Sequence, residues 1–253
     1  MNKRILATAV LAALPLLSAG SAFAEEAADN PVTANVSLVS DYAYRGISQT
    51  DEKMALQGGF DYAHSSGLYV GVWGSNVSWI RDSEDAARDA GASFKSSHNS
   101  LEVDVYGGYK GTIGDFGYDV GLLQYVYPGR YTKTWRDSVA KRPDTLEGYV
   151  GLSYKFLTFK YSHAFTNLFG APDSDGSKYL DLSAAYEIAD GWTLNAHFGR
   201  QVIAGPAESY NDWKIGVTKA IAGVTLGLHY VDTDINHVDI AEPRVIFSVA
   251  KSF

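Results

Sequence analysis

About twelve stretches of this chain alternate apolar and polar residues with a period of two, and no stretch of comparable length carries apolar residues at helical spacing. Leu101, Val103, Val105 and Tyr109 alternate with Glu102, Asp104, Tyr106 and Lys110. Leu146, Val150, Leu152 and Tyr154 alternate with Thr145, Glu147, Tyr149 and Ser153, and Val224, Leu226, Leu228 and Tyr230 with Thr225, Gly227 and His229. Successive side chains of a strand point to opposite faces, so each stretch has one greasy and one polar face. The segments lie near 32–46, 54–64, 67–78, 100–110, 115–127, 144–155, 156–165, 177–188, 191–203, 209–219, 223–234 and 242–253. The Ala-rich, charged stretch from Ser83 to Ala92 is the one place where a short helix is expected.

The connections alternate in length. Ser65-Ser66, Gly111 to Gly114, Lys155-Phe156, Ala189-Asp190 and Ala220 to Ala222 are tight, whereas 47–53, 79–99, 128–143, 166–176, 204–208 and 235–241 are longer and polar. Tight turns at one end and long loops at the other are the habit of bacterial outer-membrane barrels. In hydrocarbon an unpaired backbone N–H or C=O finds no water, so only helices and closed sheets can span. These observations predict an all-β fold: an antiparallel transmembrane β-barrel of about twelve strands, with both ends of the sheet at the short-turn side. Tyr62, Tyr109, Phe116, Tyr118, Tyr154, Phe156 and Trp192 near the tight turns, and Tyr42, Tyr44, Trp79, Tyr125, Tyr127, Tyr161 and Tyr210 near the long loops, are expected to form two interfacial girdles.

The first 24 residues have their own logic. A basic start (Lys3, Arg4), an apolar run from Ile5 to Ala19 and Ala22-Phe23-Ala24 before Glu25 make a secretory signal peptide. A spanning helix needs about 20 apolar residues, and Pro15 interrupts this shorter run. The expected organisation is therefore a cleaved signal peptide, 1–24, and a barrel domain, 25–253. Cleavage would remove two positive charges from a chain whose formal charge is already −8, and an acidic chain with no basic stripe argues against a nucleic-acid partner. With no cysteine, no disulfide holds the fold. At the other end, Val245, Phe247 and Val249 alternate up to a terminal Phe253, which resembles the recognition signal of the barrel assembly machinery. Lys251 departs from that signal and is expected to snorkel into the interface.

Ser40-Asp41-Tyr42-Ala43-Tyr44-Arg45-Gly46-Ile47-Ser48-Gln49, then Gln57-Gly58-Gly59-Phe60-Asp61-Tyr62, then Gly67 to Trp73 followed by Ser75-Asn76, together resemble the TorF family of porins. Beyond that block the likeness is one of length and strand rhythm. The resemblance implies a barrel in a Gram-negative outer membrane. It supplies neither catalytic residues nor a substrate.

If apolar faces meet lipid, the opposite faces line the interior. The predicted lumen-lining residues are Asp41, Arg45, Asp61, Glu102, Asp104, Lys110, Asp119, Glu147, Lys160, Asp181, Glu187, His197, Lys214, His229 and Arg244, with Asp41 and Arg45 on one face of the first strand. The lining is mixed in sign and slightly acidic. Ionised groups at membrane depth need water or partners, so these side chains either border a narrow aqueous passage or pair into bridges that plug it. A twelve-stranded barrel is narrower than barrels of about sixteen strands, which hold open channels. Arg45-Gly46-Ile47 also enters a tight bend.

Other clusters carry less. Arg130, Lys133, Arg136, Lys141 and Arg142 sit on a long loop, where they suit lipopolysaccharide phosphates, pore narrowing or plain solvation. Asp232-Thr233-Asp234-Ile235-Asn236 opens like a calcium loop, but His237 replaces the needed Gly. Asp173-Ser174-Asp175-Gly176 reads as a turn. No G-x-S-x-G, H-E-x-x-H or P-loop motif is present, and His163 next to Ser162 on a strand points to the other face. The expectation is a passive outer-membrane diffusion channel for small hydrophilic solutes, not an enzyme, with no catalytic, cofactor or metal residues. Lipid, lipopolysaccharide and the assembly machinery are its expected partners. A non-conducting structural or surface-interaction barrel and an outer-membrane lipid hydrolase are the alternatives.

Overall fold

A computed structural model describes residues 31–82, 99–129, 131 and 142–253. The signal peptide, the short helix from Ser83 to Ala92 and the loop cations Arg130, Lys133, Arg136 and Lys141 lie outside the described residues. The strands are β1 (Val32–Val39), the two-residue β2 (Ala43–Tyr44) and β3 (Ile47–Ser48), β4 (Ala55–Ala63), β5 (Leu68–Asn76), β6 (Leu101–Ile113), β7 (Phe116–Val126), β8 (Thr145–Tyr154), β9 (Leu157–Ala164), β10 (Lys178–Ala189), β11 (Trp192–Val202), β12 (Tyr210–Ile221), β13 (Val224–Thr233) and β14 (Arg244–Ser252). All but β2 and β3 form one closed antiparallel barrel of twelve strands in chain order. β1 closes it, pairing with β4 on one side and β14 on the other. Ala34 and Phe253 exchange backbone N–H···O bonds of 3.2 and 2.9 Å across that seam. A closed sheet leaves no row of unpaired amides, which is what a lipid-facing wall requires.

The burial pattern is inverted relative to a water-soluble sheet. On β6, Val105 is 47% exposed while the neighbouring Asp104 is 3% exposed. Phe60, Val70, Val120, Leu182, Phe198, Leu228 and Phe247 likewise present apolar side chains outward. Ser37, Gln57, Glu102, Glu147, Ser183, Asn195, Asp212 and Ser248 are buried inside. Around the short-turn end, Tyr62, Tyr109, Phe116, Tyr154, Phe156 and Trp192 are exposed and outward, as expected of a girdle. Lys251 lies on the outer face, its Nζ 4.8 Å from the Phe253 ring centre.

The girdle expected at the long-loop end does not form as such. Tyr42, Tyr125, Tyr127 and Tyr210 are buried in the interior, and Tyr44 and Trp79 pack against the same cluster. Tyr125 shares the inward parity of Asp119 and Leu123 on β7, so its ring fills the barrel instead of facing lipid. Inward glycines make room for flat tyrosine rings: a Cβ on Gly71 would strike the Tyr106 ring, and one on Gly121 the Tyr149 ring.

The first strand is also shorter than its alternation suggests. It leaves the wall after Val39, where Ser40 Oγ accepts the Phe247 N–H at 2.9 Å. Residues 40–50 then fold into the barrel as a hairpin, β2 pairing with β3, and the chain returns to the wall through the exposed Asp51 to Met54. Tyr44 lies on β2 and Tyr42 just before it, its carbonyl accepting the Gln49 N–H at 2.7 Å, so both alternate like wall residues although their partner segment is inside.

Candidate functional site

The hairpin is held at its base by Asp41. Its carboxylate accepts the Ser48 hydroxyl at 2.5 Å, the Thr50 hydroxyl at 3.1 Å and Nε of Arg244 from the wall. Arg244 Nη2 also donates to the Gly46 carbonyl at 2.8 Å. Tyr42 Oη donates to Glu102 at 2.6 Å, and Tyr127 Oη binds the other oxygen of the same carboxylate at 2.6 Å. Each of these hydrogen bonds has a charged donor or acceptor, a kind worth about 1.5–3 kcal/mol. Together they over-determine the position of the loop.

The tip is a two-residue turn with Arg45 at φ 46° and Gly46 at φ 82°. Two successive left-handed residues are the signature of a tight hairpin turn. A Cβ on Gly46 would overlap Thr233 and Asp212 on the wall, so the turn can only dock with glycine there. From this tip Arg45 crosses the interior. Nη2 meets Glu147 at 2.7 and 3.0 Å, Nη1 donates to Gln201 Oε1 at 2.7 Å, and the guanidinium lies 4.2 Å from the centre of the Tyr179 ring. Asp41 and Arg45 are therefore not neighbours on one strand face. The hairpin points them to opposite walls, Asp41 to β14 and Arg45 to β8, β10 and β11.

Beneath the hairpin is a cavity of about 180 Å³. Tyr44, Arg45 and Gly46 roof it, and its walls include Trp73, Asp104, Tyr106, Tyr125, Tyr149, Lys160, Asp181, His197, Asp212 and Lys214. Lys160 sits with Nζ 4.0 Å over the Tyr149 ring. Phe169 (φ 48°), on a second inward-turning loop, packs edge-on against Tyr44 and Tyr125 and thickens the plug on the long-loop side.

The remaining predicted lining residues are spread along the interior. Asp61 accepts the Tyr106 hydroxyl at 2.5 Å, and Asp119 the Tyr69 hydroxyl at 2.6 Å. Tyr69 and Tyr149 also join hydroxyl to hydroxyl. Lys110 lies 5.4 Å over the Tyr69 ring toward the short-turn end. Glu187 is exposed beside the turn to β11, accepting the Gly191 N–H at 3.4 Å. His229 is buried between Gly216 and Gly227. Arg142 on the long loop is exposed, with its guanidinium 5.5 Å over Tyr131.

One cluster was not legible in the chain. His197 Nε2 lies 2.9 Å from Asp212 and Nδ1 3.3 Å from Asp181, while Ser183 Oγ stands 3.1 Å from Nδ1. A serine, a histidine and an aspartate in line suggest nucleophilic chemistry. The Ser183 hydroxyl, however, points its proton at Asp181, 2.6 Å away, and Tyr179 Oη donates to Asp212 at 2.8 Å. A serine already donating to a carboxylate is not being deprotonated by the imidazole. The set instead bridges two interior carboxylates with one ring. The residues come from β10, β11 and β12, so only the register joins them. Among the described residues no three metal-ligating side chains converge. Asp234, from the calcium-like run, accepts the backbone N–H of Asn211 at 2.7 Å.

The barrel resembles solved outer-membrane channels. It aligns with the KdgM porin at TM-score 0.54 and 8% identity, over 87% of this chain and 99% of that one. A structure of that porin in complex with disordered oligogalacturonate gives 0.52 at 8% identity, over 88% and 98%. An outer-membrane channel from Pseudomonas putida F1 gives 0.50 at 12%, over 90% and 97%. No curated protein matches in sequence. At such identities the likeness is one of fold, and the fold is that of a porin-like barrel. Neither the family model nor these structures carry the TorF name. That model spans residues 23–253, and the chain belongs to the family described as "Bacterial protein of unknown function (Gcw_chp)".

Proposed function

We propose that this protein is an outer-membrane channel for small hydrophilic solutes, narrowed by its own first external loop and unfavourable to anions. The observation that carries this reading is the combination of an apolar outer wall with an interior where carboxylates outnumber cations. Asp41, Asp61, Glu102, Asp104, Asp119, Glu147, Asp181 and Asp212 face Arg45, Lys110, Lys160, Lys214 and Arg244. Buried ionisable groups at membrane depth need water, solute or partners, and the surplus of carboxylates over cations leaves a demand that pairing among them does not meet. A polyanion such as the oligogalacturonate bound by the KdgM porin would meet net repulsion here, so neutral or cationic solutes are favoured. On this reading residues 1–24 are removed on export, and the assembly machinery reads the final strand. Lipid surrounds the apolar belt and lipopolysaccharide phosphates lie near the long loops.

A closed barrel is the second reading, favoured by the tethers of Arg45 to Glu147 and Asp41 to Arg244. Purified, refolded protein in a planar bilayer separates the two. Discrete conductance steps, with a reversal potential showing cation preference in a salt gradient, are the expected result. A correctly folded protein that stays silent ends the channel reading.

A further inference from the structure

The cavity beneath the hairpin contains a row of three inward side chains with an unmet chemical demand. Asp104 on β6 is paired in register with Trp73 on β5 and with Tyr125 on β7. Side chains directly opposite on neighbouring strands have Cβ atoms roughly 4.5–5.5 Å apart, so the carboxylate stands between an indole and a phenol. Asp104 is 3% exposed and Trp73 2% exposed. Yet Asp104 Oδ1 accepts no hydrogen bond and Trp73 Nε1 finds no acceptor among the described residues. The nearby hydroxyls are engaged elsewhere: Tyr125 Oη bonds Tyr44 at 2.7 Å, and Tyr106 Oη bonds Asp61 at 2.5 Å. The other interior carboxylates each have donors, as Glu147 has Arg45 and Glu102 has two tyrosines.

We infer that this cavity binds a small organic ammonium ion, with Asp104 as its counter-charge and Trp73 Nε1 bonding an oxygen carried by the same solute. The inference deepens the channel reading by naming a solute class, and rests on it only for the route by which the solute arrives. A buried carboxylate without a partner is costly, and a cation in contact with it removes that cost. The faces of Trp73, Tyr106 and Tyr125 suit a large, weakly hydrated cation better than a small metal ion. Among the described residues no set of three metal ligands competes for that role. The indole N–H adds a donor, so an amino alcohol matches the site better than a bare alkylammonium. The cavity volume of about 180 Å³ is of the size such a solute needs.

Calorimetric titration of the detergent-folded protein with choline chloride tests this without requiring conduction. Saturable binding is expected, with 3,3-dimethyl-1-butanol, the uncharged carbon analogue of choline, giving none. Asp104→Asn should weaken choline binding at least tenfold, and Trp73→Phe should weaken choline more than tetramethylammonium. Lys251→Gln, on the outer face, should bind as wild type does. Absence of saturable choline binding in the wild-type protein overturns the inference, as does equal binding of the uncharged analogue. A barrel that is silent in bilayers but binds choline would sink the channel reading alone, and one that conducts without binding would sink the solute class alone.

Discussion

Arg45 and Glu147 meet in a two-oxygen ion pair across the barrel interior, at 2.7 and 3.0 Å, although one sits on a turn and the other on the opposite wall. Their side chains are 7% and 3% exposed. The pair fastens the hairpin tip to β8, while Asp41 with Arg244 and Tyr42 with Glu102 hold its base. Breaking such a buried pair by removing one partner costs about 3–5 kcal/mol. Arg45→Ala should therefore free the tip of the hairpin while its base and the closed sheet persist. The check is single-channel conductance, expected to rise relative to wild type, with new protease cleavage within residues 40–53. Conductance unchanged in a folded variant would show that the hairpin does not border the path.

Gly46→Val should have the same phenotype by a different route. A left-handed backbone costs a non-glycine residue about 1–2 kcal/mol, and the added side chain would overlap Thr233 and Asp212. Cleavage kinetics of the 40–53 segment in folded protein would measure this. Protection equal to wild type would mean the turn can shift to accommodate a side chain.

Selectivity separates the carboxylates. Asp104 and Asp181 line the cavity, whereas Glu102 holds Tyr42 and Tyr127 at the root of the hairpin. Asp104→Asn with Asp181→Asn should lower the cation preference read from reversal potentials. Glu102→Gln should instead loosen the loop and raise conductance. Equal effects of the two on reversal potential would contradict this division.

His197 bridges Asp181 and Asp212, and removing it leaves both carboxylates without that ring. His197→Ala should lower the urea midpoint of the folded barrel by more than Ser183→Ala, which deletes one hydrogen bond worth roughly 1 kcal/mol. Neither should alter a phospholipid-hydrolysis assay in micelles. Hydrolysis present in wild type and abolished by Ser183→Ala would establish the enzyme reading in place of the channel.

Leu182 tests the lipid face. It is outward on β10, between Phe159 and Phe198 on the adjoining strands. Leu182→Arg should cost about 2–4 kcal/mol if the site is near the bilayer midplane. Reversible unfolding from vesicles reports this, and a cost near zero would place Leu182 at an interface.

The chain by itself determined the wall. Side chains alternate in and out with a fixed period of two, so Leu101 to Lys110 or Thr145 to Tyr154 can be read onto two faces without knowing what either face meets, and short turns fix which strands are neighbours. Parity alone likewise put Glu147, Asp181 and His197 inside. The tertiary structure decided what happens within that wall. Tyr42 and Tyr44 alternate like their neighbours on β1, and nothing local tells a strand that pairs with the sheet from one that turns into it. That choice depends on Arg244, Glu102, Glu147 and Gln201, brought to the hairpin from 60 to 203 residues away along the chain. Closure of the barrel places those side chains together, and hydrogen bonds and ion pairs of that range leave no periodic trace in the sequence.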